Sequence, residues 1–172
     1  MIESVTTAAP SWRAGVIRDF AGSELFERTF QEGMDLVEET AAYLDGSGRQ
    51  DAKLLSRNAA LAYASQSMRL TTRLMQVASW LLVQRAVREG GMAPEAACGD
   101  SYRLGAEHDP EPTRAGEELP HQLIQLLDRS ERLFDRVRHL DKRMYVEAVA
   151  EEEPAHPIQE QLERLRNAFG TV

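Results

Sequence analysis

A single cysteine, Cys98, occurs in 172 residues, so no intrachain disulfide can hold this fold together. Proline and glycine are also scarce, at 7 and 11, which argues against a sheet-rich domain full of tight turns and excludes a collagenous chain. Long hydrophobic runs are missing: apolar runs such as Trp80-Leu81-Leu82-Val83 are far too short to span a bilayer. The first twenty residues lack the basic start and apolar stretch of a secretory signal, so cytoplasm is the expected compartment and no membrane partner is expected. What is present is 42% hydrophobic and 28% charged residues, which suits one soluble domain with a real core.

Net charge is −8, but it is unevenly placed. Residues 1–89 carry 10 basic and 11 acidic side chains, 90–118 carry 2 and 7, 119–150 carry 6 and 5, and 151–172 carry 2 and 5. The surplus acid therefore belongs to a connection and a tail. Within the first part, Ser23 to Asp45 has seven acids and one base, whereas Ala52 to Arg88 has six bases and no acid. Either these are two neighbouring helices that complement each other, or Arg69 and Arg73, one turn apart, are left for an acidic partner.

The apolar periodicity is helical throughout. Residues 1–22, with Pro10 and Gly15 and no sustained period, read as a flexible arm. Ser23 can cap a first helix over about 23–45, with Phe26, Phe30, Met34, Val37, Ala41 and Leu44 at steps of 4, 4, 3, 4 and 3. Asp45-Gly46-Ser47-Gly48 turns the chain. A second helix follows over about 48–89, uninterrupted by Gly or Pro between Gly48 and Glu89. It carries two apolar seams. Leu54, Leu61, Met68, Met75 and Leu82 recur at intervals of seven, flanked by Ala64, Thr71 and Ala78. Tyr63, Ser67, Leu70, Leu74, Val77 and Leu81 make the other, so the apolar surface is wider than one partner helix covers. Either the helix is central to the bundle, or its second seam is buried in another subunit.

Gly90-Gly91 end that helix, and 90–118, rich in Pro, Gly and acid, read as a long mobile connection. Pro120 suits the start of a third helix over about 120–151, with Leu123, Leu126, Leu127, Ser130, Leu133, Phe134, Val137, Leu140, Met144 and Ala148 on one face. An acidic tether and a short amphipathic piece, Ile158, Leu162, Leu165 and Phe169, fill 151–172. That piece either packs back on the bundle or serves as a helix-in-groove peptide for another protein.

Chemistry finds little support. The two Glu-x-x-His pairs, Glu118/His121 and Glu153/His156, each contain proline and lie at helix boundaries, unlike the mid-helix pairs of a carboxylate-bridged metal site. Cys98 has no basic neighbour in sequence to activate it. No glycine-rich phosphate loop follows a predicted strand. The bases of the second helix are spread over 37 positions of an acidic chain, so direct nucleic-acid binding is not expected either. No metal, cofactor or catalytic residue is assigned.

Three strings are too long to arise from helical patterning alone: Leu36 to Leu44 (LVEETAAYL), Ser67 to Met75 (SMRLTTRLM) and Ala78 to Leu82 (ASWLL). With Leu119 to Asp141 as a third helix, the chain resembles the alphaproteobacterial family called regulator of CtrA degradation. The resemblance implies a dimerising three-helix bundle without enzymatic activity, an adaptor for the ClpXP protease. In that scheme a response-regulator-like factor primes ClpX and the adaptor tethers cargo transcription regulators, sometimes through a cyclic-di-GMP-binding adaptor. It also implies a disordered C-terminal tail and concentration at a cell pole.

The expectation is thus an all-α antiparallel three-helix bundle with a long central helix, a homodimer that tethers cell-cycle regulators to a protease. The expected interaction surface is the outward part of helix two, with Tyr63, Arg69, Leu70, Arg73, Leu74, Val77, Trp80 and Leu81, together with Leu162, Leu165 and Phe169 of the tail. A structural or DNA-associated helical dimer is the competing reading.

Overall fold

The computed structural model describes residues 11–105 and 118–145. They are all-helical: α1 (Ser11–Ala21), α2 (Glu24–Asp45), α3 (Ser47–Leu54), α4 (Arg57–Arg88), α5 (Pro94–Ala97), a 3-10 turn (Asp100–Tyr102) and α6 (His121–Tyr145). The three long helices pack as a bundle in which α4 touches both others. Ser23 caps α2 as expected, its Oγ accepting from Phe26 N at 3.1 Å. Gly90 ends the turn after α4 at φ 76°, a conformation that a residue with a Cβ resists.

Helix directions follow from the cross-bundle pairs. Arg129 meets Glu39 at 2.6 Å and Arg136 meets Glu32 at 2.7 Å, so α2 and α6 are antiparallel. Arg88, at the end of α4, pairs with Glu27 near the start of α2, so these two are antiparallel as well. Consequently α4 and α6 run the same way, with Arg73 beside Ser130 and Trp80 beside Asp141. Antiparallel packing holds for α2 against each partner and not between α4 and α6. The connection after Arg88 is long enough to carry the chain back along the bundle, which is what a parallel pair demands. The same pairs correct the charge reading: the acids of α2 that reach across the bundle divide between Arg88 of α4 and Arg129 and Arg136 of α6.

Three boundaries differ from the sequence expectation. Within the supposed arm, Ser11–Ala21 is helical, and Ala14, Ile17 and Ala21 are buried on one face of it. Phe20 joins Phe26 at 5.8 Å edge-on and Trp80 at 5.6 Å, tying α1 to α2 and α4. Gly15 weakens helical propensity only modestly, and burial of Ile17 outweighs it. The second helix is not continuous. It breaks at Leu55-Ser56, where Ser56 adopts an extended conformation and its Oγ accepts from Ala59 N at 3.2 Å, capping α4. Finally, 90–105 is not a loose linker: Ala97 and Cys98 are buried, and Tyr145 Oη donates to Ala97 O at 2.7 Å.

Candidate protein-interaction surface

The helix α4 has room for two seams because its inner and outer faces do different work. The inner face is the one expected to point outward. Leu70, Leu74, Val77, Trp80 and Leu81 are all buried within this single chain, as is Arg73, while Tyr63 and Arg69 are half-buried. The reason lies in α6. Its apolar stripe contains two polar slots, Ser130 and Asp141, and both meet donors from α4. Arg73 Nη1 donates to Ser130 Oγ at 3.0 Å, and Trp80 Nε1 donates to Asp141 Oδ1 at 3.0 Å. Arg73 and Trp80 are thus both buried and bonded within this chain.

Asp141 also fastens the returning connection. Its Oδ1 accepts from Leu104 N at 3.1 Å and its Oδ2 from Arg103 Nη2 at 3.3 Å, while the Arg103 guanidinium lies over the Tyr145 ring at 5.6 Å. A buried carboxylate with three donors is well satisfied. Around it, burial pushes the Cys98 thiol up from its usual value and the Tyr145 hydroxyl up to about 12, so both are held neutral. A neutral, buried Cys98 whose Sγ donates to Pro94 O at 3.3 Å is a packing group.

The outer face is the seam with the strict seven-residue repeat. Leu54 at the end of α3 is 87% exposed, and on α4 Leu61, Met68, Met75 and Leu82 are 65%, 71%, 65% and 51% exposed. Isolated exposed apolar residues are ordinary, but the four on α4, in a row on one line, form a patch of the kind that marks association. Met75 stands between two clefts. One, of about 440 Å³, lies between α4 and residues 101–105, with Trp80 at its base and Val83, Tyr102 and Arg103 among its walls. The other, of about 350 Å³, lies between α2 and α4, lined by Val37, Leu44, Leu74 and Ala78, with Thr40 Oγ1 buried there and without a hydrogen-bond partner among the described residues.

The sequence expectation named the seam that the structure turns inward. The available signal was Asp141, which occupies an apolar-face position of helix three between Val137 and Met144 and needs buried donors, such as an indole on the facing helix. The tail residues Leu162, Leu165 and Phe169 lie outside the described residues. Among the described residues no group of three His, Cys, Asp or Glu side chains could hold a metal ion, and no helix is long and apolar enough to cross a membrane.

A protein family described as of unknown function, DUF1465, matches residues 17–169. The crystal structure of RcdA from Caulobacter crescentus CB15 superposes with a TM-score of 0.64 at 70% sequence identity, covering 75% of this chain and 98% of that one. No curated protein sequence matches significantly.

Proposed function

Because the chain belongs to the DUF1465 family, that of RcdA, the regulator of CtrA degradation, we propose that it takes part in CtrA degradation as a non-enzymatic adaptor. It tethers cell-cycle regulators to the ClpXP protease. A response-regulator-type factor primes ClpX, and some cargo arrives through a cyclic-di-GMP-binding adaptor. The work is done in the cytoplasm, at a cell pole.

The observation that supports this reading is the exposed repeat on α4. A tether needs surface rather than catalytic groups: holding cargo beside the protease pore raises its effective concentration without altering a chemical step. The line Leu61, Met68, Met75 and Leu82, with a cleft on each side of Met75, offers ridges and grooves for a protein partner. The same face is self-complementary in form, a ridge flanked by grooves, and a homodimer uses it through the seven-residue repeat that suits helix-on-helix packing. Half-buried Arg69 follows Met68 on α4 and contributes at the margin of this line, whereas half-buried Tyr63 falls on the inner side, beside Gly48.

Reconstitution tests the proposal. With ClpX, ClpP, the priming factor and a candidate cargo, degradation speeds up when the protein is added. Absence of retention on primed ClpX and of any acceleration contradicts it.

A further inference from the structure

The helix α1 is held differently from the rest of the bundle. Across α2, α4 and α6 the fasteners are polar as well as apolar: Arg88 to Glu27, Arg129 to Glu39, Arg136 to Glu32, and the Arg73–Ser130 and Trp80–Asp141 bonds. The seat of α1 is apolar, made by Ala14, Ile17, Phe20 and Ala21, and its charged residues Arg13, Arg18 and Asp19 enter no ion pair among the described residues. Closure also strands polar groups. Trp12 Nε1 and Arg13 Nε are buried with no hydrogen-bond partner among the described residues, and both regain water when the segment lifts, which lowers the cost of opening.

Propensity points the same way. The helix spans 11 residues with Gly15 near its middle, where a Cβ would meet nothing within 4 Å. That glycine weakens the helix without making room for any neighbour. A helix so short does not persist once it leaves its seat, so lifting and melting are one step. We propose that α1 is a strap that lifts from the bundle as a unit while α2, α4 and α6 stay folded, and that its lifting reshapes the cleft beside Met75. Its bearing on partner binding rests on the reading of that face as the partner surface.

Two lines of contact join α1 to the cleft. The Phe20 ring lies 5.6 Å from Trp80, the residue at the base of the cleft. The second line runs through the returning connection. The helix α1 packs on α5, whose four residues, Pro94–Ala97, are too few to hold a helix unaided. What seats α5 is its packing against α1 and α4, which buries Ala97 and Cys98, and the bond from Tyr145 Oη to Ala97 O. Just beyond it, Ser101, Tyr102 and Arg103 form the wall of the cleft that faces α4. With α1 lifted, α5 loses one side of its seat and the wall that follows it shifts. Arg103 and Leu104 stay tied to Asp141, so the wall moves without coming away.

The test uses the full chain and its own Cys98, a free thiol buried at the end of α5. An aromatic disulfide reagent is added in rising urea below the unfolding transition. Labelling is expected about tenfold or more faster than global unfolding permits, with a urea dependence shallower than that of the whole-chain transition. Gly15→Ala, which strengthens α1 in open space, slows labelling about two- to fivefold, and Ile17→Ala speeds it on the order of thirtyfold. With methyl-labelled methionine, the signal of Met75, which lines the cleft, moves in opposite directions in these two variants, while that of Met68, outside it, keeps its position. Labelling that follows the rate and the urea dependence of global unfolding overturns the strap, and a Met75 signal unmoved in both variants overturns its link to the cleft. Neither readout involves a protease. An active adaptor whose Cys98 reacts only on global unfolding removes the strap alone, and a chain that shows both effects without accelerating degradation removes the adaptor reading alone.

Discussion

Asp141 ties three parts of the structure together, because one carboxylate on α6 serves α4 and the returning connection. Replacing it with alanine leaves the Trp80 and Leu104 N–H groups buried without an acceptor, and we expect Asp141→Ala to cost about 2–4 kcal/mol in urea unfolding. Asp141→Asn keeps one acceptor oxygen and should cost less; equal losses would contradict this account. Gly48 is another point of tight fit. A Cβ there would lie 2.6 Å from Tyr63 Oη and 2.8 Å from the backbone oxygen of Tyr43, which cannot move aside, so Gly48→Ala should destabilise the chain by about 1–3 kcal/mol. Tyr145 sets a pH limit. Its hydroxyl rises from 10.0 to about 12 because it is buried, so the folded chain keeps a proton that the unfolded chain releases. The associated stability is full below pH 10 and lost as pH rises through 12, and Tyr43 shifts in the same direction, chiefly by burial. Unfolding free energy should fall across that window, with a shallower fall in Tyr145→Phe.

At the scale of elements, amphipathic order was legible where the steps of 3 and 4 were long and unbroken, as in α2 and α6. It was obscured in α1 by brevity and by Gly15, although Ala14, Ile17 and Ala21 already follow at 3 and 4. The break before α4 carries no Gly or Pro; it comes from a serine that satisfies the helix N-terminus better than a continued helix would. Ser56→Ala should therefore cost about 1 kcal/mol by thermal or urea unfolding, and a cost near zero would deny the cap its role. Both seams of α4 were legible. Their assignment to inside and outside was not, because periodicity gives faces of one helix and only the polar slots of α6 say which face it meets. The composition of 90–118 masked the buried Ala97 and Cys98, since two small residues leave little trace in hydropathy.

For the molecule as a whole, direction is where the structure departs from the expected antiparallel bundle, in the pair α4 and α6. A long connection permits a parallel pair, and the Arg73–Ser130 and Trp80–Asp141 contacts put α4 and α6 in that relation. This arrangement fills the inner seam within one chain and turns the seven-residue repeat outward, so the proposed partner surface is a consequence of topology. Its most direct test is a reconstituted ClpXP degradation assay comparing the natural chain with Met68→Lys combined with Met75→Lys. Both side chains are exposed, so helicity and melting temperature should hold while acceleration of cargo degradation falls to the level without adaptor. A variant that stays folded and accelerates degradation as well as the natural chain would contradict the assignment of this face.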